Sequence, residues 1–479
     1  MEPFPPALQP AFAAFEAGRF MEAEQLCRSQ MEAAPSGELF FLLGLIANKT
    51  AHHADSVGWL ERAAEKLPPS LRLLSALGGA YRAAGQTRRA AECFTRCLQL
   101  APQNQQACQQ LADACYQLRE YAHAASLYRR ALQVEPENPA LWNNLANTLR
   151  NLCEVDEALA AYDRALPHRP DDPRLRANRG CTLLLAGRLD EGFREFEFRW
   201  QALGLRTFPQ PIWRGENLPG KTLFIFAEQG HGDTIQFVRY LKMARPRVGK
   251  IILECQPALK SLLEDSGCAD TVIAAGETLP AFDCYAPLLH LPSVFRTTLE
   301  TVPAVTPYLM PSKKIQFPET AVGNLKVGLA WAGNPDFLDD AIRSIPLNLF
   351  AEILKTPRVS FFNLQLKVPS SDEQFFRLSP FLDLMSSAKD FNDTAAIIAP
   401  LDLVISVDTA VAHLGGALGK RVWTLLPMPP DWRWLLHRTD TPWYPGMCLF
   451  RQRTAGNWQP VVSEVAATLR QLASARAEK

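Results

Sequence analysis

The sequence predicts a helical-repeat solenoid followed by an α/β region made of two Rossmann-like halves that face a cleft. Three observations carry this. Pro68, Pro102, Pro136 and Pro170 recur every 34 residues, a beat that marks stacked helix pairs. Beyond residue 220, short apolar runs alternate with amphipathic helical stretches, the pattern of a parallel sheet. Within that second region, Leu401 to Lys420 reads as an apolar strand, a polar corner and a short helix, the shape of an anion site.

The 34-residue beat is the tetratricopeptide period, and other positions keep it. Ala90/Phe94/Cys97, Ala124/Tyr128/Ala131 and Ala158/Tyr162/Ala165 mark second helices; Leu77-Gly78, Leu111-Ala112, Leu145-Ala146 and Arg179-Gly180 mark first helices. The small residues let paired helices approach, and the aromatics fill the space between repeats. A weaker copy ends near Ala23 and Pro35, and Gly187 to Trp200 reads as a terminal helix. The array is therefore expected over 1–200. Such solenoids present a groove suited to a peptide or an extended protein segment.

Residues 201–220 read as a rigid linker, because Phe208-Pro209-Gln210-Pro211-Ile212-Trp213-Arg214-Gly215 and Leu218-Pro219-Gly220 break the repeat. Strands follow at Thr222 to Ala227, Lys250 to Glu254, Thr271 to Ala274 and Cys284 to Ala286, with helices at Asp233 to Ala244 and Pro257 to Asp265. These make a first half, 221–312. A stretch spaced by Pro303, Pro307, Pro311 and Pro318 leads to a second half, 313–479, with strands at Lys326 to Trp331, Val359 to Leu364, Leu403 to Val407 and Val422 to Leu426. A helix from about Val461 to Ala475 ends it.

Composition narrows the class. The chain has 479 residues, enough for two to four domains. Its 50 basic and 50 acidic residues cancel, which gives no support to nucleic acid or an anionic membrane as the main partner. The start, Met1-Glu2-Pro3, has no basic leader, and the longest apolar run, Leu39 to Ala47, is too short to span a bilayer. Eleven cysteines include no CxxC pair, so neither a zinc site nor a disulfide framework is suggested. A soluble, cytoplasmic protein with reduced thiols is expected.

The candidate chemistry sits at strand ends. In the second half, Asp408 and Thr409 offer capping side chains before the helix that begins at Ala410, with His413 one turn later. In the first half, Gln229-Gly230-His231-Gly232-Asp233 follows a strand; the glycines permit close backbone approach, and Asp233 stands at a helix start. Its plain reading is an N-cap and its functional one a base, with His231 beside it as a second candidate. Val327 to Pro335 and Asp339-Asp340-Ala341-Ile342-Arg343-Ser344 form another corner. There Arg343 suits bidentate contact with a diphosphate, and Ser344 suits capping of a helix from Leu347. Gln365 and Lys367, past the strand that ends at Leu364, are placed for a nucleobase edge and a phosphate. Asp390 to Ala396 reads as a helix start, and Pro429 to Leu436 as an aromatic wall. No Asp-x-Asp triplet and no GxGxxG fingerprint occurs. The first absence removes the usual carboxylate pair for a divalent ion, so cations and a helix dipole must meet any leaving diphosphate. The second counts against a nicotinamide dehydrogenase.

With these motifs placed, residues 220 to 470 resemble a GT-B glycosyltransferase, nearest the ADP-heptose:lipopolysaccharide heptosyltransferase family. Gly232-Asp233-Thr234-Ile235 is similar to that family's Gly-Asp motif, whose aspartate is its proposed base. Val407 to Gly419 is similar to its donor-binding Asp-Ser/Thr-Gly-x-x-His-x-x-x-Ala-x-Gly segment, with Ala410 in place of the glycine. The layout with repeats is also similar to the O-linked N-acetylglucosamine transferases. In those enzymes asparagines line the groove; here Gln110, Asn144 and Asn178 stand at the matching first-helix position, with Ala76 before them. Gln365 and Lys367 resemble their Gln-x-x-Lys nucleotide contact at a shorter spacing.

The resemblance implies a metal-independent transferase that needs no cofactor and takes a nucleotide-diphosphate sugar as co-substrate. Its acceptor would be a protein presented by the repeat groove, with Asp233 as base and Asp408, Thr409, Ala410, His413, Arg343 and Ser344 at the donor diphosphate. Two alternatives stand beside it. One is a repeat scaffold whose catalytically inactive GT-B half binds a nucleotide or a partner; the other is a nucleotide-sugar epimerase, which leaves the repeats without a role.

Overall fold

The computed structural model describes residues 4–31, 35–318, 323–337 and 340–477; Met1 to Pro3 and Asp339 of the motifs above lie outside them. The chain divides into two compact units, Met1–Pro170 and Asp171–Lys479.

The first unit is helical: α1 (Gln9–Glu16), α2 (Phe20–Met31), α3 (Gly37–Lys49), α4 (His53–Lys66), α5 (Leu71–Ala83), α6 (Thr87–Leu100), α7 (Gln105–Gln117), α8 (Tyr121–Val134), α9 (Pro139–Asn151) and α10 (Val155–Ala165). Each helix packs on its pair mate, and α2, α4, α6 and α8 pack on the first helix of the pair that follows. Side-chain caps begin the first helix of a pair at Ser36, Ser70, Asn104 and Asn138, 34 residues apart, each satisfying first-turn N–H groups that would otherwise have no partner. Turns within pairs pass through Ala51, Gly85, Arg119 and Cys153 with positive φ, on the same beat. The small-against-aromatic expectation holds at Gly78, where an added Cβ would lie 2.7 Å from Phe94 Cε1. Ala112, Tyr128, Ala146 and Tyr162 are buried.

The second unit opens with three more helices, α11 (Pro173–Leu185), α12 (Leu189–Phe196) and α13 (Arg199–Leu203). Asp172 caps α11 on the 34-residue beat, and Gly180 lies under the Phe196 backbone, so α11 and α12 are built as a repeat pair. They nevertheless belong to the compact unit that holds the sheets, and the division falls at Pro170 rather than near residue 200.

Two parallel sheets follow. The first contains β1 (Leu218–Phe226), β2 (Val248–Cys255), β3 (Thr271–Ala274) and β4 (Cys284–Pro287) in the order β3-β2-β1-β4. The second contains β5 (Leu325–Ala330), β6 (Val359–Asn363), β7 (Phe381–Leu382), β8 (Leu403–Val407), β9 (Val422–Leu426) and β10 (Met447–Arg451) in the order β7-β6-β5-β8-β9-β10. Counted from β5, this is the 3-2-1-4-5-6 order of doubly wound sheets, whose direction switches between the first and fourth strands. That places crevices outside the carboxyl ends of β5 and β8, and of β1 and β4. Every residue of β8 is buried, as a central strand covered on both faces requires.

Several expectations shift in detail. The stretch expected as one helix from Asp233 to Ala244 is broken into α14 (His231–Phe237), a 3-10 turn at Val238–Tyr240 and a short helix at Leu241–Ala244. The linker is ordered against the first sheet. Trp213 N donates to Tyr285 O at 2.8 Å, and Phe208 packs on Phe224, Phe226, Phe282 and Tyr285.

Candidate functional site

At the carboxyl end of β8 the chain turns through Asp408 and Thr409 into the helix Ala410–Ala417. Thr409 is the N-cap residue, yet no side chain caps this helix; the Thr409 hydroxyl lies 3.1 Å from Ser406 Oγ instead. The expected Asp408/Thr409 cap is thus replaced by an uncapped start whose N–H groups face out from the strand end. Beyond β5, Arg343 spans the crevice. Its Nη1 donates to Asp408 O at 3.1 Å and its Nε to Asp340 Oδ1 at 3.0 Å. Ser344 Oγ accepts from Gly333 N and donates to Asp340 Oδ2. Ser344 therefore braces the loop after β5, while the helix at Leu347 starts from Pro346 without a side-chain cap.

Burial, then the neighbouring Asp431, pushes the Asp408 carboxyl up to about 6, against Trp434, Arg343 and Arg433, which favour its charge. The Trp434 indole N–H faces this carboxyl without reaching hydrogen-bond geometry, and it has no partner among the described residues. His413 is 5% exposed; it stacks on Trp434 with centroids 5.2 Å apart, and its Nδ1 lies 2.9 Å from Tyr444 Oη. Burial and the cations Arg433, Arg239 and Arg343 hold its pKa well below the usual histidine range. His413 is thus a neutral ring in the wall of the corner.

At the carboxyl end of β1, the Asp233 side chain turns back on its own helix: Oδ2 accepts from Gly230 N at 2.9 Å. Gly230 is the N-cap and Asp233 stands at N3, so in place of the expected N-cap the carboxylate reaches back to the N-cap N–H as in a capping box, and this uses only one oxygen. Oδ1 is ion-paired with Arg433 Nη2. Burial raises the Asp233 carboxyl, with Arg433 opposing and Asp431 adding to the rise. His231 stacks on Phe391 with centroids 5.1 Å apart, and burial lowers its pKa. The two corners meet. An added Cβ on Gly232 would lie 2.9 Å from His413 Cδ2 and 3.6 Å from Ala410 Cα, so only glycine lets α14 pack against the helix Ala410–Ala417 here.

Arg433 is the residue that sequence reading misses. Its Nε donates to Gln236 Oε1 at 2.8 Å and its Nη1 to Asp431 Oδ1 at 2.9 Å, and its side chain is 8% exposed. From sequence the loop reads as an aromatic wall, and Trp432 fits that reading by packing among Phe193, Phe196, Phe237 and Trp443. The available signal is one arginine between two tryptophans, with Asp431 before it.

The remaining candidates lie apart from this centre. Gln365 is 7% exposed and spends its amide on the main chain, accepting from Ala332 N and donating to Lys367 O; it props the β5 loop and offers no edge to a base. Lys367 is exposed. Gln110 and Asn144 are half-buried on α7 and α9 of the first unit, and Asn144 Nδ2 donates to Asp113 Oδ1 at 3.4 Å. Asn178 is half-buried on α11 in the second unit. A surface hollow of about 410 Å³, lined by Ser370, Glu373, Gln374, Arg377 and Leu378, shares no residue with either corner. In the first unit, Cys115, Glu120 and His123 bring possible metal ligands within 4.8 Å of one another. A thiol–imidazole contact of 3.5 Å accounts for the cysteine and histidine there.

The fold and site define a protein that joins tetratricopeptide repeats to a parallel α/β unit with two facing strand-end corners. Comparison with known proteins supports the first part. Tetratricopeptide repeat models match residues 71–104 and 117–179. Protein FlbA of Caulobacter vibrioides is 28% identical over 324 residues, covering 61% of this chain and 54% of FlbA. The chain thus spans about half the length of that curated relative, over a stretch longer than the repeats alone supply. Among solved structures, a MamA point mutant is 23% identical, covering 36% of this chain and 94% of its own, with a TM-score of 0.32. YrrB, described as a TPR protein with an unusual peptide-binding site, is 14% identical, covering 36% and 91%, with a TM-score of 0.33.

Proposed function

We propose that the second unit is a metal-independent glycosyltransferase of GT-B type, with 221–312 as the acceptor side and 313–479 as the donor side. It moves a sugar from a nucleotide-diphosphate donor to a hydroxyl of a protein bound by the repeats, and the reduced thiols suit a cytoplasmic setting. The observation that carries this reading is the meeting of the corners: the acid Asp233 stands beside an uncapped helix start at the switch point of a doubly wound sheet. The donor diphosphate lies at the Thr409-Ala410 start, where N–H groups, Arg343 and Arg433 meet its charge. Asp233 takes the acceptor's proton, the hydroxyl oxygen bonds to the anomeric carbon, and the sugar–phosphate bond breaks with its electron pair leaving on the diphosphate. The raised Asp233 carboxyl suits that proton transfer.

The test is a thermal-shift panel of ADP-, UDP-, GDP- and dTDP-linked sugars against the full chain in chelator. One nucleotide class should raise the unfolding temperature, with the rise growing with ligand concentration. Silence across the panel removes the reading. The inactive-scaffold alternative draws on the same ion pair, which occupies Asp233 in this structure; a donor that binds while no transfer and no release of nucleoside diphosphate is detected would favour it.

A further inference from the structure

The Asp233–Arg433 pair carries a second consequence, which rests on the donor-site reading above. Arg433 reaches the centre from the Trp432 loop, which is wedged by Phe193 and Phe196 of α12 and by Phe237 of α14. Two of its donor groups are taken by Asp431 and Gln236; the arm that turns toward the corner, Nη2, is held by Asp233. Asp233 gives its other oxygen to Gly230 N. The carboxylate is therefore fully engaged, and the cation nearest it is neutralised. A diphosphate at the uncapped start of the helix Ala410–Ala417 arrives beside this pair, because Gly232, next to Asp233, packs on Ala410. Arg433 also faces Asp408, where the chain enters that helix. A guanidinium offers planar paired donors that fit phosphate as well as carboxylate.

We propose that Arg433 is an exchange residue: it masks Asp233 in the empty site and turns its Nη2 arm to the donor's diphosphate on binding, which frees Asp233 to take the acceptor's proton. Donor binding then precedes base activation. The loop places this arginine under the hold of α12, so the repeat pair nearest the sheets sets where the exchange takes place. Arg343 does not share the role, since it is bound to Asp340 and to the Asp408 carbonyl rather than to Asp233.

The exchange makes a prediction opposite to that for an ordinary binding residue, since removing the acid should tighten anion binding. The probe is inorganic pyrophosphate, titrated calorimetrically into the full chain. Asp233→Asn should bind it at least about 5-fold more tightly than the natural protein, roughly 1 kcal/mol, and Arg433→Lys should bind it more weakly. The deciding comparison is the double variant. If Arg433 is the exchanged partner, Asp233→Asn gives no gain in an Arg433→Lys or Arg433→Gln background. An equal gain in both backgrounds shows simple charge repulsion and overturns the exchange, as does the absence of any gain in the single variant. Failure of pyrophosphate to bind the natural protein and every variant removes the donor-site reading itself, and the exchange with it.

Discussion

Asp408 sits where β8 ends, a few atoms from the proposed anion, with a carboxyl pushed up to about 6 by burial and Asp431. In the unfolded chain an aspartate ionises near pH 3.9. The folded state therefore binds a proton between those values that the unfolded state does not. This contribution to stability is fully present below the unfolded value and is lost as pH rises through about 6. Asp408→Asn removes the titration. Relative to the natural protein, the variant should be stabilised by about 1 kcal/mol more at pH 7.5 than at pH 5, read from urea unfolding at the two values. A pH-independent difference would show that Asp408 titrates normally. At this scale the sequence is informative where a residue's backbone position decides its role. Gly232, Asp233, Arg343 and Ala410 fall at strand ends as expected, because β/α alternation fixes those ends. Arg433 escapes such a reading, since its role depends on an ion pair with a residue 200 positions away. Gln365 misleads for a related reason: its amide is consumed by a loop that only tertiary packing brings near.

At the level of elements, the pair α11/α12 shows repeat chemistry and sheet packing at once. Its cap at Asp172 and its close approach at Gly180 follow the 34-residue beat, so the sequence reads it as part of the array. Contacts that local pattern does not reveal tie these helices and α13 to the sheets. Arg199 of α13 and Glu228, just beyond β1, form a buried forked pair, 3% and 1% exposed, with donor–acceptor distances of 2.7 and 3.2 Å. Glu197 pairs with His290, and Asp190 with Arg296. Breaking a buried pair strands a charge at a cost of about 3–5 kcal/mol. Arg199→Met should lose that much in urea unfolding followed by tryptophan fluorescence, which reports mainly on this unit because eight of the ten tryptophans lie in it. Arg199→Met with Glu228→Gln should recover most of the loss, since the stranded charge is gone while the side-chain amide oxygen can still accept from Leu289 N, as the carboxylate does now. A double variant as unstable as the single one would show that packing, rather than charge, holds the junction. β7 and β10 escape the sequence reading for different reasons. β7 has two residues. β10 follows a stretch rich in proline and glycine that reads as loop.

For the molecule as a whole, the chain joins a protein-binding repeat array to a parallel α/β unit, and the proposal gives the second unit chemistry and the first an acceptor to hold. No helix among the described residues is long and apolar enough to cross a membrane. The architecture is legible because two periods, 34 residues for helix pairs and strand–helix alternation for the sheets, run long enough to be counted. The state of the site is not, because it depends on how the two halves close on each other, and here Gly232 already rests on His413. The most direct measurement is release of nucleoside diphosphate from nucleotide sugars by the purified chain in chelator, with water standing in for the acceptor hydroxyl. The proposal predicts slow release from one nucleotide class, reduced at least about 100-fold by Asp233→Asn. Release that is absent for every donor, or equal in the two proteins, would contradict it.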